Sequence, residues 1–141
     1  MADTSIAYRK PLPVLDIWNK PFWEACRQHR LVMQRDRRTG RFFYPPAPVS
    51  PDGASPDWDW AELSGLGTVQ SWVVFHQKYY AGFADELPYS VVLVRLDEGP
   101  LLMSNLVGVP NDALRIDQRV RVTYRDADER ISIPVFEPVE G

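Results

Sequence analysis

Apolar and polar positions alternate most regularly between residues 67 and 108, where three runs read as a β-meander. Residues 67–76 (Gly-Thr-Val-Gln-Ser-Trp-Val-Val-Phe-His) and 89–96 (Tyr-Ser-Val-Val-Leu-Val-Arg-Leu) are rich in β-branched and aromatic side chains, and residues 101–106 form a shorter third run. Asp97, Glu98, Gly99 and Pro100 leave room only for a tight turn, which predicts a hairpin between the second and third runs. Further on, Val120, Val122 and Tyr124 alternate with Arg121, Thr123 and Arg125, the pattern of a half-buried strand. Ile131, Ile133 and Val135 mark a last strand, and Pro134 places it at a sheet edge. Between the third and fourth strands, residues 109–117 predict a short helix or turn, with Asn111 as N-cap or Pro110 as the first helical residue. Five antiparallel strands with a helical insert at that point predict a small closed barrel of the OB type.

The first half is punctuated differently. Pro11 and Pro13 restrict their neighbours and remove donors, so residues 1–13 read as an extended arm. A turn over 15–18 precedes a helix over 21–29, with Trp18, Phe22, Ala25 and Cys26 on one apolar stripe. Residues 31–35 and 41–44 read as two short strands around Asp36-Arg37-Arg38-Thr39-Gly40. Five prolines make residues 45–57 irregular, and residues 58–63 are expected to open the β domain, with a bend or bulge at Gly65 and Gly67.

Composition narrows the function classes. The apolar fraction of 45% and charged fraction of 25% are those of a globular protein. A net charge of −3 argues against a nucleic-acid binder that relies on bulk electrostatics. No apolar run approaches the roughly 20 residues that span a bilayer, so no membrane association is expected. The first ten residues lack the apolar core of a signal peptide, and Cys26 has no partner for a disulfide, which points to a reducing cytoplasm.

Candidate chemistry concentrates in residues 77–88, a connection that carries Tyr79, Tyr80 and Phe83 without strand-like alternation. Several large aromatics in one loop suggest a working surface. Trp72 and Tyr89 on the flanking strands, together with Lys78, would add stacking faces and a charge, unless Trp72 is plain core and the tyrosines cover a partner. His76 ends the first strand beside this loop; it is either a base suited to neutral pH or a histidine satisfied at a strand end. Asn105, in a mainly apolar strand, needs a hydrogen-bond partner from a ligand or a neighbouring turn. Cys26 reads as a buried thiol and His29 as a partner of the helix dipole. Arg35, Arg37, Arg38 and Arg41 form a basic cluster, either a solvated loop or a contact for phosphates or an acidic partner patch. No nucleophile, base and orienting group fall together, and no catalytic residue is assigned.

The order of short motifs carries a resemblance: Pro21-Phe-Trp-Glu24, Leu31, Tyr44-Pro-Pro46, Ser64-Gly-Leu-Gly-Thr68, Leu87-Pro-Tyr89, Leu96-Asp-Glu-Gly99, Ser104-Asn-Leu-Val-Gly108 and Pro134-Val-Phe136. Over residues 18–138 the chain resembles a bacterial and archaeal family that joins a helix and a rubredoxin-like zinc ribbon to a C-terminal OB-fold. The resemblance implies a mainly β chain, with the arm, helix and ribbon over 1–57 and a five-stranded OB-fold domain over 58–141. The family's ribbon carries two Cys-x-x-Cys pairs; the matching positions here are Asp36, Thr39, Ser50 and Gly53, so zinc is expected to be absent. Loss of a structural metal removes several kcal/mol of folding free energy, which a permanent partner could replace. Members often bind thiolase-like enzymes: acyl-CoA thiolases, acetyl-transfer complexes and steroid side-chain aldolases. The resemblance therefore implies a non-catalytic accessory subunit of such an enzyme. A CoA thioester would be its ligand, taken by Trp72, His76, Lys78, Tyr79, Tyr80, Phe83, Tyr89 and Asn105. Two alternatives stay open: an OB protein that binds single-stranded nucleic acid on aromatic platforms, and a free-standing acyl-CoA-binding protein or enzyme using His76.

Overall fold

A computed structural model describes Tyr8 and residues 10–139. Of the expected arm, residues 1–7 and 9 lie outside the described residues. Asp16 organises the approach to the first helix, its carboxylate accepting the backbone N–H groups of Trp18 and Asn19 at 2.8 and 2.7 Å. Helix α1, Lys20–Arg27, follows with Pro21 in its first turn, where the missing N–H is not needed. It buries Phe22, Ala25 and Cys26. Trp18 is not on the stripe: residues 17–19 form a turn, so helical periodicity does not reach it. The helix also stops earlier than expected, because His29 turns left-handed at φ 59°. Burial pushes the Cys26 thiol up to about 12, far above the range where a thiolate forms at neutral pH. In an iodoacetamide assay at pH 8, Cys26 is expected to stay unmodified in the native protein and to label fully in denaturant.

Strands β1 (Val32–Asp36), β2 (Phe42–Phe43) and β3 (Trp58–Glu62) form an antiparallel sheet in the order β2-β1-β3. Residues 58–62 thus belong to the ribbon sheet and do not open the barrel. They pair along the whole of β1, from Val32 opposite Glu62 to Asp36 opposite Trp58. The physical reason is cross-strand complementarity. Arg35 lies directly opposite Asp59 and meets it bidentately at 3.2 and 3.0 Å, and Trp58 packs edge-on against Phe43 and Trp60. Phe22 contacts Trp23 and Tyr44 at ring separations of 5.1 and 5.5 Å, sealing α1 onto this unit.

The second sheet contains β4 (Leu66–Phe75), β5 (Tyr89–Leu96), β6 (Leu101–Ser104), β7 (Arg119–Asp126) and β8 (Ser132–Pro138), in the order β6-β5-β4-β7-β8. The predicted hairpin joins β5 and β6, and β8 takes the edge that Pro134 requires. The sheet curls until its two edges meet. Val107 N–H donates to the Phe136 carbonyl at 2.7 Å, and Phe136 N–H donates to the Asn105 carbonyl at 2.9 Å. This is the OB topology expected. Strand β4 serves both halves of the curl: its first three residues pair with β7 and residues 67–75 with β5, across a bulge between Val69 and Ser71. The irregularity therefore sits just beyond the two glycines.

Gly67 serves close approach instead. A Cβ there would stand 2.6 Å from the Arg95 carbonyl oxygen and 2.8 Å from Val94 Cγ1. Backbone cannot yield as a side-chain tip can, so Gly67→Ala is expected to cost about 2–3 kcal/mol in urea denaturation. The insert is a single 3₁₀ turn, Asn111–Ala113, preceded by Pro110 in extended conformation. Asn111 does not cap it: its side-chain amide donates to the Pro88 carbonyl at 3.1 Å, fastening the insert to the end of the aromatic loop.

Helix and barrel share one core in which Phe22, Cys26, Leu31 and Met33 pack with the inward residues of the curled sheet. A polar clasp closes the same boundary. His29 does not serve the helix dipole alone, because its Nε2 lies 3.1 Å from Asp126 Oδ1 and its ring stacks on Tyr124 at 4.9 Å. Ser132 donates its hydroxyl to the same Asp126 oxygen, and Arg27 donates to Ser132 at 3.2 Å.

Candidate functional site

The loop over residues 77–88 folds into a 3₁₀ segment, Ala81–Glu86, that leans over the outer face of β4, β5 and β6. An apolar groove of about 430 Å³ lies between them. Register builds its wall: Phe75, the last residue of β4, pairs directly with Tyr89, the first of β5. Tyr89 is stacked between Phe75 at 5.2 Å and Phe83 at 4.9 Å, with interplanar angles of 22° and 25°. Tyr79 meets Phe75 edge-on at 5.9 Å, and Tyr80 tilts against Phe83 at 6.4 Å. Both tyrosines are more than 60% exposed. Exposed rings standing beside a half-buried stack leave π-faces for a ligand or partner.

Cations gather at one end. Lys10 Nζ sits 5.3 Å from the Phe83 ring centroid and 5.4 Å from that of Tyr8, and it pairs with Glu86 at 2.8 Å. Arg125 lies over Tyr8 at 5.7 Å and 3.8 Å from Glu86. At the floor the polar groups are committed to the fold. Asn105 Nδ2 donates to the Ser90 carbonyl at 2.6 Å, and Ser104 Oγ donates to the Pro134 carbonyl at 2.7 Å. The groove is thus an apolar, aromatic-faced slot with charge at its rim, suited to binding flat or acyl groups.

Of the residues read from sequence, Tyr79, Tyr80, Phe83, Tyr89 and Asn105 line the groove together. Trp72 does not; it is half-buried and packs against the barrel core. His76 and Lys78 are exposed just past β4 and line no part of it. Phe75, Val91, Met103 and Ser104 complete the lining unforeseen. Val91 was within reach of sequence reasoning, since it shares a strand face with Tyr89 at a spacing of two. Phe75 needed the register, and Lys10 needed the path of the arm.

The basic cluster on the ribbon is matched one for one by carboxylates. Arg35 pairs with Asp59, Arg37 with Asp57 at 3.3 Å, Arg38 with Asp36 at 2.8 Å, and Arg41 with Asp52 at 3.3 Å. Those cations are not a free phosphate site. Asp36 is fully buried, and hydrogen bonds from the Arg38 guanidinium, joined by Ser50 and the Arg38 backbone N–H, hold its carboxyl well below the usual range.

A helix, a three-stranded ribbon and a curled five-stranded barrel define the class of ribbon-plus-OB proteins. Residues 23–49 match the family model described as the ChsH2 rubredoxin-like zinc ribbon domain, and residues 60–125 match that of the ChsH2 C-terminal OB-fold domain. The chain belongs to this ChsH2/DUF35 family. It is similar to a solved chain described as the Ltp2-ChsH2(DUF35) aldolase, with 38% identity and a TM-score of 0.81, covering 90% of this chain and 98% of that one. It is 39% identical over 129 residues to a probable enoyl-CoA hydratase alpha subunit of Thermomonospora curvata, covering 92% of this chain and 40% of the relative. It is 33% identical to the 3-oxo-4,17-pregnadiene-20-carboxyl-CoA hydratase alpha subunit of Mycobacterium tuberculosis, over 84% of this chain and 37% of the relative. The chain therefore spans about two fifths of the length of these two hydratase subunits. A DUF35 domain-containing scaffold protein of Pyrococcus furiosus is 25% identical over 77% of this chain and 79% of its own length.

The family's zinc does not fit here. The four positions that the resemblance assigns to its ligands, Asp36, Thr39, Ser50 and Gly53, present one carboxylate, two hydroxyls and a glycine, and the Asp36 carboxylate is already engaged by a guanidinium. Among the described residues no three or more His, Cys, Asp or Glu cluster as a metal site would require.

Proposed function

We propose that this chain is the non-catalytic accessory subunit of a thiolase-like enzyme acting on an acyl-CoA, working in the reducing cytoplasm. The observation that carries the reading is the similarity over nearly the full length of the aldolase's ChsH2(DUF35) chain. The surface agrees with a subunit in a complex: Val14 and Ile17 in the approach to α1 are 86% and 78% exposed, an apolar strip suited to burial against a partner. Within the complex, the groove of Tyr79, Tyr80, Phe83 and Tyr89 would accept the apolar part of the CoA thioester; Lys10 and Arg125 are already paired with Glu86 and are given no phosphate contact. The reactive group belongs to the partner; His76 lines no part of the groove and is given no catalytic role.

Co-expression of the tagged chain with a thiolase-like protein of its own organism tests the reading. A stoichiometric complex that turns over an acyl-CoA, and keeps turning it over with His76→Ala, is the expected result. A lone monodisperse chain that ignores that partner would overturn it. Salt-dependent oligonucleotide binding by the lone chain would favour the nucleic-acid reading instead.

A further inference from the structure

We propose that Arg38 takes the structural place of the family's zinc, so that the ribbon is closed by a guanidinium and needs no metal. A ribbon zinc fastens two loops to one another through two ligands from each. Here the first loop follows β1 and the second spans residues 50–55. The Arg38 guanidinium bridges the same two loops. On its own loop it donates through Nη2 to Asp36 Oδ2 at 2.8 Å and through Nε to Oδ1 at 3.2 Å, while the Arg38 backbone N–H reaches Oδ1 at 2.8 Å. On the other loop it donates to the Asp52 carbonyl. The family's ligand positions surround it. Asp36 supplies the carboxylate, and Ser50 adds its hydroxyl to that carboxylate while accepting the Asp52 N–H at 3.1 Å. Gly53 lies beneath the guanidinium, where a Cβ would stand 3.8 Å from Nη1. Only Thr39 turns away, accepting the Arg41 N–H within its own turn.

Chemistry favours arginine for the exchange. Its planar fork of five donors spans a carboxylate and a carbonyl at once, which a lysine point charge does not. The Asp36 side chain is wholly buried, so its charge requires a cation and donors at close range. The small residues at 50 and 53 leave room for a guanidinium where two thiolates and a metal would stand.

The test uses the full chain. Purified wild type is expected to hold no stoichiometric zinc when made in zinc-supplemented medium, and its melting temperature should not move with a chelator. Arg38→Met, which keeps the chain length and removes the donors, is expected to lower the melting temperature by about 5–10 °C, with Arg38→Lys falling between the two. One bound zinc per wild-type chain would overturn the proposal. So would Arg38→Met melting with the wild type, or Arg38→Lys doing so should the methionine variant fail to fold.

Discussion

Phe136→Ala is expected to cost about 3–5 kcal/mol, a large share of the roughly 5–15 kcal/mol that holds a domain of this size together. Phe136 is fully buried in the barrel core, so truncation removes a whole ring from a closely packed interior. The position also matters for topology. Phe136 N–H and C=O are the two groups that join β8 to residues 105 and 107, and no other backbone hydrogen bond ties these two sheet edges among the described residues. A cavity at that point loosens the closure, and with it Asn105, whose amide holds the groove floor through Ser90. Urea denaturation followed by the fluorescence of the five tryptophans measures the cost. Phe136→Leu, which keeps most of the apolar volume, is expected to lose less than half as much. Equal stabilities for wild type and Phe136→Ala would show that barrel closure does not depend on this ring.

Strand-period alternation made the barrel legible. Residues 119–125 and 89–96 carry their pattern locally, and Pro134 announced an edge. Pairing partners are not local. Residues 58–63 read from sequence as the opening of the β domain, but residues 58–62 pair with the ribbon strand, where Asp59 meets Arg35 across the sheet. The groove was half visible for the same reason. Tyr79, Tyr80 and Phe83 stood out as aromatics in a loop, whereas Phe75 entered only through its pairing with Tyr89, and Lys10 through the return of an arm far away in sequence. Trp72 points the other way: an aromatic strand residue near the loop proved to pack on the core. The lost cysteines were plain to see, yet what replaced them was hidden among four arginines that looked alike. Only the positions of Asp36, Asp52, Asp57 and Asp59 separate Arg38, whose carboxylate partner is wholly buried, from the three whose partners stay open to solvent.

In the assembled complex, Tyr89→Ala is expected to weaken acyl-CoA binding about 10- to 100-fold, not through a ligand contact of its own but by unseating the aromatic wall that the ligand would meet. Tyr89 is the middle ring of the stack, so its loss frees Phe75 and Phe83 from their fixed planes. Tyr79→Ala, at the exposed rim and in contact with one ring only, should cost less. Titration of an acyl-CoA into wild-type and variant complexes measures the effect, with circular dichroism to confirm that the barrel is intact. The outcomes separate the two uses an aromatic groove can have. Weaker binding with the complex preserved assigns the groove to the thioester. A complex that dissociates, with no change in the ligand affinity of what remains assembled, assigns it to the partner's surface. Unchanged affinity and unchanged assembly would remove the groove from the function altogether and leave the exposed strip around Val14 and Ile17 to carry the contact.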